Sequence, residues 1–120
     1  MTLKISKMIA VIGSGKDKYL HLSIPLGEWI AKNGYSLING GGSGVMISTA
    51  KAFCSVKNRK GLVVGVIPSN SKCSSLTERG SYTAPAPYPN PYTEITIRTH
   101  LHLSGVFGKN IASRNHIIIL

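Results

Sequence analysis

The residues of this chain best suited to chemistry are those suited to holding an anion. Gly40-Gly41-Gly42-Ser43-Gly44-Val45-Met46 stands between an apolar stretch at 35–38 and a helix-like stretch at 45–57. Consecutive glycines let a backbone turn sharply after a strand and leave its N–H groups bare, and the helix that follows aims the positive end of its dipole at the turn. Asn39, which tolerates unusual backbone angles and hydrogen-bonds locally, suits the entrance to such a turn. A glycine-rich turn can also exist only to let a helix pack closely on a sheet, but the density of glycines here favours the anion cradle. A shorter turn, Gly13-Ser14-Gly15, follows the apolar run 8–12. The expected guest is a phosphorylated small molecule, with the hydroxyls of Ser14, Ser43 and Thr99 available for further contacts.

Other chemistry has less support. Asp17, Glu28, Glu78 and Glu94 are the whole acidic complement, and none forms an obvious pair. Glycoside-type acid–base catalysis needs two positioned carboxylates, so no catalytic residue is assigned. His100 and His102 would point to one side if extended, but no third ligand has a fitting spacing, and no metal site is expected. Their role is left open. Cys54 and Cys73 are too few for a disulfide framework or paired zinc-ligand spacing, so reduced thiols and a cytoplasmic setting are the expectation, with Cys54 packing as a small apolar residue.

Fourteen basic residues against four acidic ones give a formal charge of +10, which invites a nucleic-acid reading. The cations mostly occur singly. The one cluster, Lys57-Asn58-Arg59-Lys60, falls where a helix should end and suits the helix dipole there. No aromatic-and-basic platform accompanies it, so nucleic acid is not the expected partner. No apolar run approaches the roughly 20 residues of a membrane span.

These elements must be carried by a single domain of 120 residues. The run 8–12 reads as a strand buried on both faces. Residues 19–33 read as a helix with Leu22, Leu26, Trp29 and Ile30 on its apolar face and an Asn33-Gly34 C-cap. Pro25 should bend that helix or delay its start to about Ile24. A second strand at 35–39, a second helix at 45–56 with Met46, Ala50 and Phe53 buried, and a third strand at 62–67 ended by Pro68 follow. Residues 69–92, with Pro85, Pro87, Pro89 and Pro91 at alternate positions, form a long loop of the kind that serves as a connector or lies over a ligand. A fourth strand is expected at 94–99, then a loop at 101–109. The end at 116–120 suits a strand by propensity and a helix by the capping residue Ser113. The result is an α/β fold whose ligands gather at the carboxyl ends of parallel strands.

Ile12-Gly13-Ser14-Gly15, the run Gly40 to Met46, Val64-Gly65-Val66-Ile67-Pro68 and Ser113-Arg114-Asn115-His116 together resemble the LOG-like Rossmann proteins. That group, long labelled possible lysine decarboxylases, includes the molybdenum cofactor carrier proteins. The resemblance spans most of the chain and implies a Rossmann-like three-layer fold, with strand order 3-2-1-4 expected. It implies that Gly13, Ser14, Gly15 and the run from Gly40 through Val45 and Met46 line a nucleotide-phosphate pocket. Arg114, beside Asn115, matches an arginine that orients the ligand in the phosphoribohydrolase branch, and a guanidinium there would clamp phosphate bidentately. A nucleoside monophosphate or the molybdenum cofactor is the implied ligand, and a homo-oligomer the implied assembly. In family members a glycine follows the position of Thr99, so His100 is a departure. The chain also stops short of the second glycine motif, PGGxGTxxE, whose glutamate is the hydrolase acid–base. The expectation is therefore a domain truncated before its fifth strand: a binder by itself, with nucleoside 5′-monophosphate hydrolysis as the alternative for a longer protein.

Overall fold

A computed structural model describes residues 7–69, 84, 86–102 and 118. Its elements run β1 (Met8–Ala10), α1 (Leu20–Lys32), β2 (Ser36–Asn39), α2 (Val45–Ser55), β3 (Val63–Ser69) and β4 (Ile95–His102). The four strands form one parallel sheet in the order β1-β2-β3-β4. This corrects the expected order 3-2-1-4. β4 adds beside β3, with Val64 opposite Ile95 and Val66 opposite Ile97, rather than beside β1.

The physical reason lies in the connection. Parallel neighbours need a crossover, and β1 to β2 and β2 to β3 use α1 and α2, which pack against each other on one face of the sheet. The described part of the third connection, residues 86–94, carries no helix. Thr93 lies against the bare backbone of Gly65, where a Cβ would come within 2.7 Å of its methyl carbon. Tyr92 packs on the same core as the two helices. The Glu94 N–H then donates to the Val63 carbonyl at 2.9 Å, which starts β4 at the head of β3. The two helical crossovers step the sheet from β1 to β2 to β3 in one direction, as right-handed connections on one face do, and β4 continues that direction beside β3.

Val11, Ile30, Ala31, Leu37, Ala50, Phe53 and Val63 form the core between helices and sheet. Met46, Ala50 and Phe53 are buried as their spacing predicts. On α1 the expectation fails: Leu22, Leu26 and Trp29 are exposed by 63%, 39% and 52%, and only Ile30 of that set is buried. The buried side of α1 is instead Ser23, Gly27, Ile30 and Ala31. Small residues let the two helices touch backbone to side chain: a Cβ on Gly27 would strike the Thr49 carbonyl and lie 2.9 Å from the Ala52 Cβ.

Pro25 neither delays nor ends α1, which begins at Leu20. The first turn is closed upstream of the proline, by the Leu22 and Ser23 N–H groups donating to the Tyr19 carbonyl at 2.8 Å and the Ser23 hydroxyl to the Lys18 carbonyl at 2.9 Å. At the other end Asn33 and Gly34, the latter at φ 78°, form the expected C-cap. Pro68 does not end β3 either. The register with β4 shifts between Ile67 and Ser69, and such an irregularity is where a strand accommodates a proline. β4 runs on through His100 to His102, beyond the expected end at Thr99.

Candidate phosphate-binding site

Both glycine turns lie at the carboxyl edge of the sheet, one leaving β1 and one leaving β2, and backbone contacts join them. The Val45 N–H donates to the Ser14 carbonyl at 2.9 Å. Gly44 (φ 67°) is where the turns cross most closely, since a Cβ there would strike the Ser14 carbonyl. Only glycine combines that left-handed φ with that approach. The Ser14 hydroxyl accepts the N–H groups of Lys16 at 3.1 Å and Asp17 at 2.9 Å, which closes the first turn on itself.

The second turn is held from two sides. Asn39, fully buried, accepts the Gly41 N–H on Oδ1 at 2.8 Å and donates Nδ2 to the Met46 carbonyl at 3.2 Å. Asn90, also buried, donates its backbone N–H to the Gly41 carbonyl at 2.7 Å and Nδ2 to the Gly42 carbonyl at 2.9 Å. Gly42 is pressed by the Tyr88 ring, which leaves no room for a Cβ. α2 begins directly after this turn with no side-chain hydrogen bond capping it at Gly44.

Between the turns is a cavity of about 120 Å³ lined by Val11, Ile12, Gly13, Gly15, Gly40, Met46 and Tyr88. That is a few times the ~30 Å³ share of one liquid water and well below the roughly 300–1,000 Å³ of a site that swallows a whole ligand. It matches a group of phosphate size rather than a complete nucleotide. The Gly42 N–H points to the thioether of Met46 at 3.4 Å, a weak acceptor. A larger groove of about 430 Å³ runs along α1 and α2, with Leu20, Ile24, Ile47 and Tyr92 in its walls. It holds no glycine turn, and Lys18 and Lys51 are its basic lining residues.

Of the residues expected at the site, Gly13, Gly15, Gly40 and Met46 line the cavity, and Ser14, Gly41, Gly42, Ser43, Gly44 and Val45 build the turns around it. Thr99 is placed elsewhere. It is buried in β4, its hydroxyl donating to the Ile67 carbonyl at 2.7 Å. Arg114 and Asn115 lie outside the described residues, as do Cys73, Glu78 and the side chains of His100 and His102. Sequence reasoning missed Tyr88 and Asn90. A polar residue isolated between Pro89 and Pro91 was the available signal.

The remaining candidate groups are structural. Glu94 stands at the start of β4, away from the carboxyl edge. It accepts the Val63 N–H at 3.1 Å and pairs with Arg59. Burial pushes its carboxyl up, but the hydrogen bonds from Arg59 and Val63 and the Arg59 charge outweigh that and hold it below its ordinary value. Arg59 also stacks over the Phe53 ring at 5.2 Å, so one member of the basic cluster is drawn onto the core. No basic residue falls in the last turn of α2. Glu28 makes a long, exposed contact with Lys32 at 3.9 Å. Burial raises the Cys54 thiol above its ordinary value, Arg59 opposing and Glu94 adding to the effect. Among the described residues no group of three His, Cys, Asp or Glu could hold a metal, and no helix is long and apolar enough to cross a membrane.

A parallel sheet with glycine turns meeting at its carboxyl edge defines an α/β protein of Rossmann type. Residues 6–120 match the model of the SLOG cluster4 family, and the chain belongs to that family. The molybdenum cofactor carrier protein MCP from Chlamydomonas reinhardtii is similar in structure, with a TM-score of 0.57 and 28% identity over 89% of this chain and 56% of that one. The structural-genomics target TM1055 shares the fold, with a TM-score of 0.57 at 21% identity over 96% of this chain and 55% of that one. An uncharacterized protein of Archaeoglobus fulgidus is 42% identical over 62 residues, which is 50% of this chain and 39% of that protein. The chain thus spans little more than half the length of these solved relatives, and less of the archaeal one.

Proposed function

We propose that this chain binds the phosphate group of a nucleotide or of a nucleotide-like phosphorylated cofactor at its two glycine turns. The observation that carries the reading is the phosphate-sized cavity bounded by Gly13, Gly15 and Gly40, beside the start of α2. The positive end of a helix dipole, with glycines that keep side chains out of the way, favours an anion there. The likeness to MCP supports a phosphorylated pterin such as the molybdenum cofactor as one ligand of this class. The base or pterin would lie outside the cavity, which leaves the turns indifferent to its identity.

Gly15 permits a clean test. Its φ is not left-handed, and an added Cβ would meet only the Met46 methyl carbon at 3.6 Å, an ordinary contact. Gly15→Leu should therefore fold and fill the cavity. In calorimetric titrations, AMP and a phosphorylated pterin should bind the wild-type chain, and binding should be lost in Gly15→Leu. Equal affinity in both proteins would remove the phosphate from this cavity.

A further inference from the structure

We infer that Asn90 is a positioning residue for the phosphate site: from the proline-rich crossover, it sets the direction in which the amides of Gly42 and Ser43 point. The inference rests on the phosphate reading above and adds a segment that reading did not need.

The argument follows from the planarity of the peptide bond. In a trans peptide the carbonyl of one residue and the N–H of the next point in opposite directions. Asn90 holds two successive carbonyls of the glycine turn, Gly41 through its backbone N–H at 2.7 Å and Gly42 through Nδ2 at 2.9 Å. Fixing those carbonyls fixes the N–H groups of Gly42 and Ser43 on the opposite side. For Gly42 the result is visible, because its N–H meets the sulfur of Met46, and Met46 lines the cavity. A thioether is a poor acceptor, and an anion would be a far better one for the same N–H.

Asn90 can do this because its own side chain has no freedom. Oδ1 accepts from the Tyr92 N–H at 3.0 Å and from the Thr93 hydroxyl at 3.2 Å, which leaves Nδ2 as the atom facing Gly42. The residue is 3% exposed. Glycine peptides have the widest conformational choice of any, so a run of three needs an external restraint if its amides are to stay aimed. Asn39 restrains the start of the run, and Asn90 its middle.

The test uses the whole chain, with inorganic phosphate as probe and the backbone amide resonances as readout. In the wild type, phosphate should shift the Gly42 and Ser43 amides. Asn90→Ala should weaken phosphate binding about tenfold or more, the scale of one lost buried hydrogen bond, and suppress those two shifts. Asn90→Asp keeps the acceptor and the shape but sets a carboxylate oxygen against the Gly42 carbonyl, and should weaken binding likewise, so a failure of the alanine variant to fold leaves the test intact. Glu94→Gln removes a contact of the same crossover at the opposite edge and should leave phosphate affinity unchanged. If both Asn90 variants bind as the wild type does, the positioning role is overturned while the phosphate site stands. If the wild type binds no phosphate at all, the site itself fails, and the inference with it.

Discussion

Arg59 and Glu94 meet end to end, Nη1 on Oε1 at 2.8 Å and Nη2 on Oε2 at 3.1 Å. The pair ties the segment after α2 to the start of β4, and the same carboxylate receives the Val63 N–H. Because the Glu94 pKa is lowered in the folded state, its contribution to stability is present above the ordinary carboxylate value of about 4.3. It is lost as pH falls through the lower folded value. Glu94→Gln should flatten the acid limb of stability against pH in chemical denaturation. Since both side chains are partly in solvent, the loss at neutral pH should be about 1 kcal/mol or less.

Helix packing depends on Gly27. Gly27→Val would drive methyl groups into the Thr49 carbonyl and the Ala52 Cβ, prying α1 from α2. A destabilisation of about 1–3 kcal/mol, the usual range for overpacking, should appear as a lower denaturant midpoint.

Phe53 is the largest fully buried side chain among the described residues and the floor on which Arg59 stacks. Phe53→Ala should cost about 3–5 kcal/mol. Loss of that much stability should be visible by calorimetry, and a loss below 1 kcal/mol would mean the core is not as described.

Gly44 and Gly15 should separate by phenotype. Gly44→Ala puts a side chain at φ 67° against the Ser14 backbone, and should lower both stability, by about 1–3 kcal/mol, and ligand binding. Gly15→Leu should lower binding alone. Thermal melts beside ligand titrations distinguish the two.

Cys54 is half-buried with a raised pKa, so little thiolate forms near neutral pH. Iodoacetamide should alkylate it much more slowly in the folded chain than in denaturant. Equal rates would contradict its packing beside Tyr92.

Much of this protein is already present in its local sequence patterns. Dense apolar runs ended by glycine mark β1 and β2. Met46, Ala50 and Phe53 mark the buried stripe of α2, and the glycine runs mark the turns, because each of these signals is a short-range constraint on backbone angle or burial period. What the sequence could not decide were relations between distant segments. The order of the sheet turned on where residues 92–94 meet β3, and there Gly65 makes room for Thr93. The face that α1 buries turned on the close approach of Gly27 to α2, which outweighs a stripe of leucines and a tryptophan in choosing orientation. Thr99, well suited to phosphate by chemistry, was given to the Ile67 carbonyl by the pairing of β3 with β4. Asn90 acquired its place at the glycine turn only when the chain closed over a separation of 48 residues. Local sequence thus sets which backbone can turn and which side chain prefers burial, whereas the aim of a glycine's amide is set by whatever the tertiary fold brings against its carbonyl.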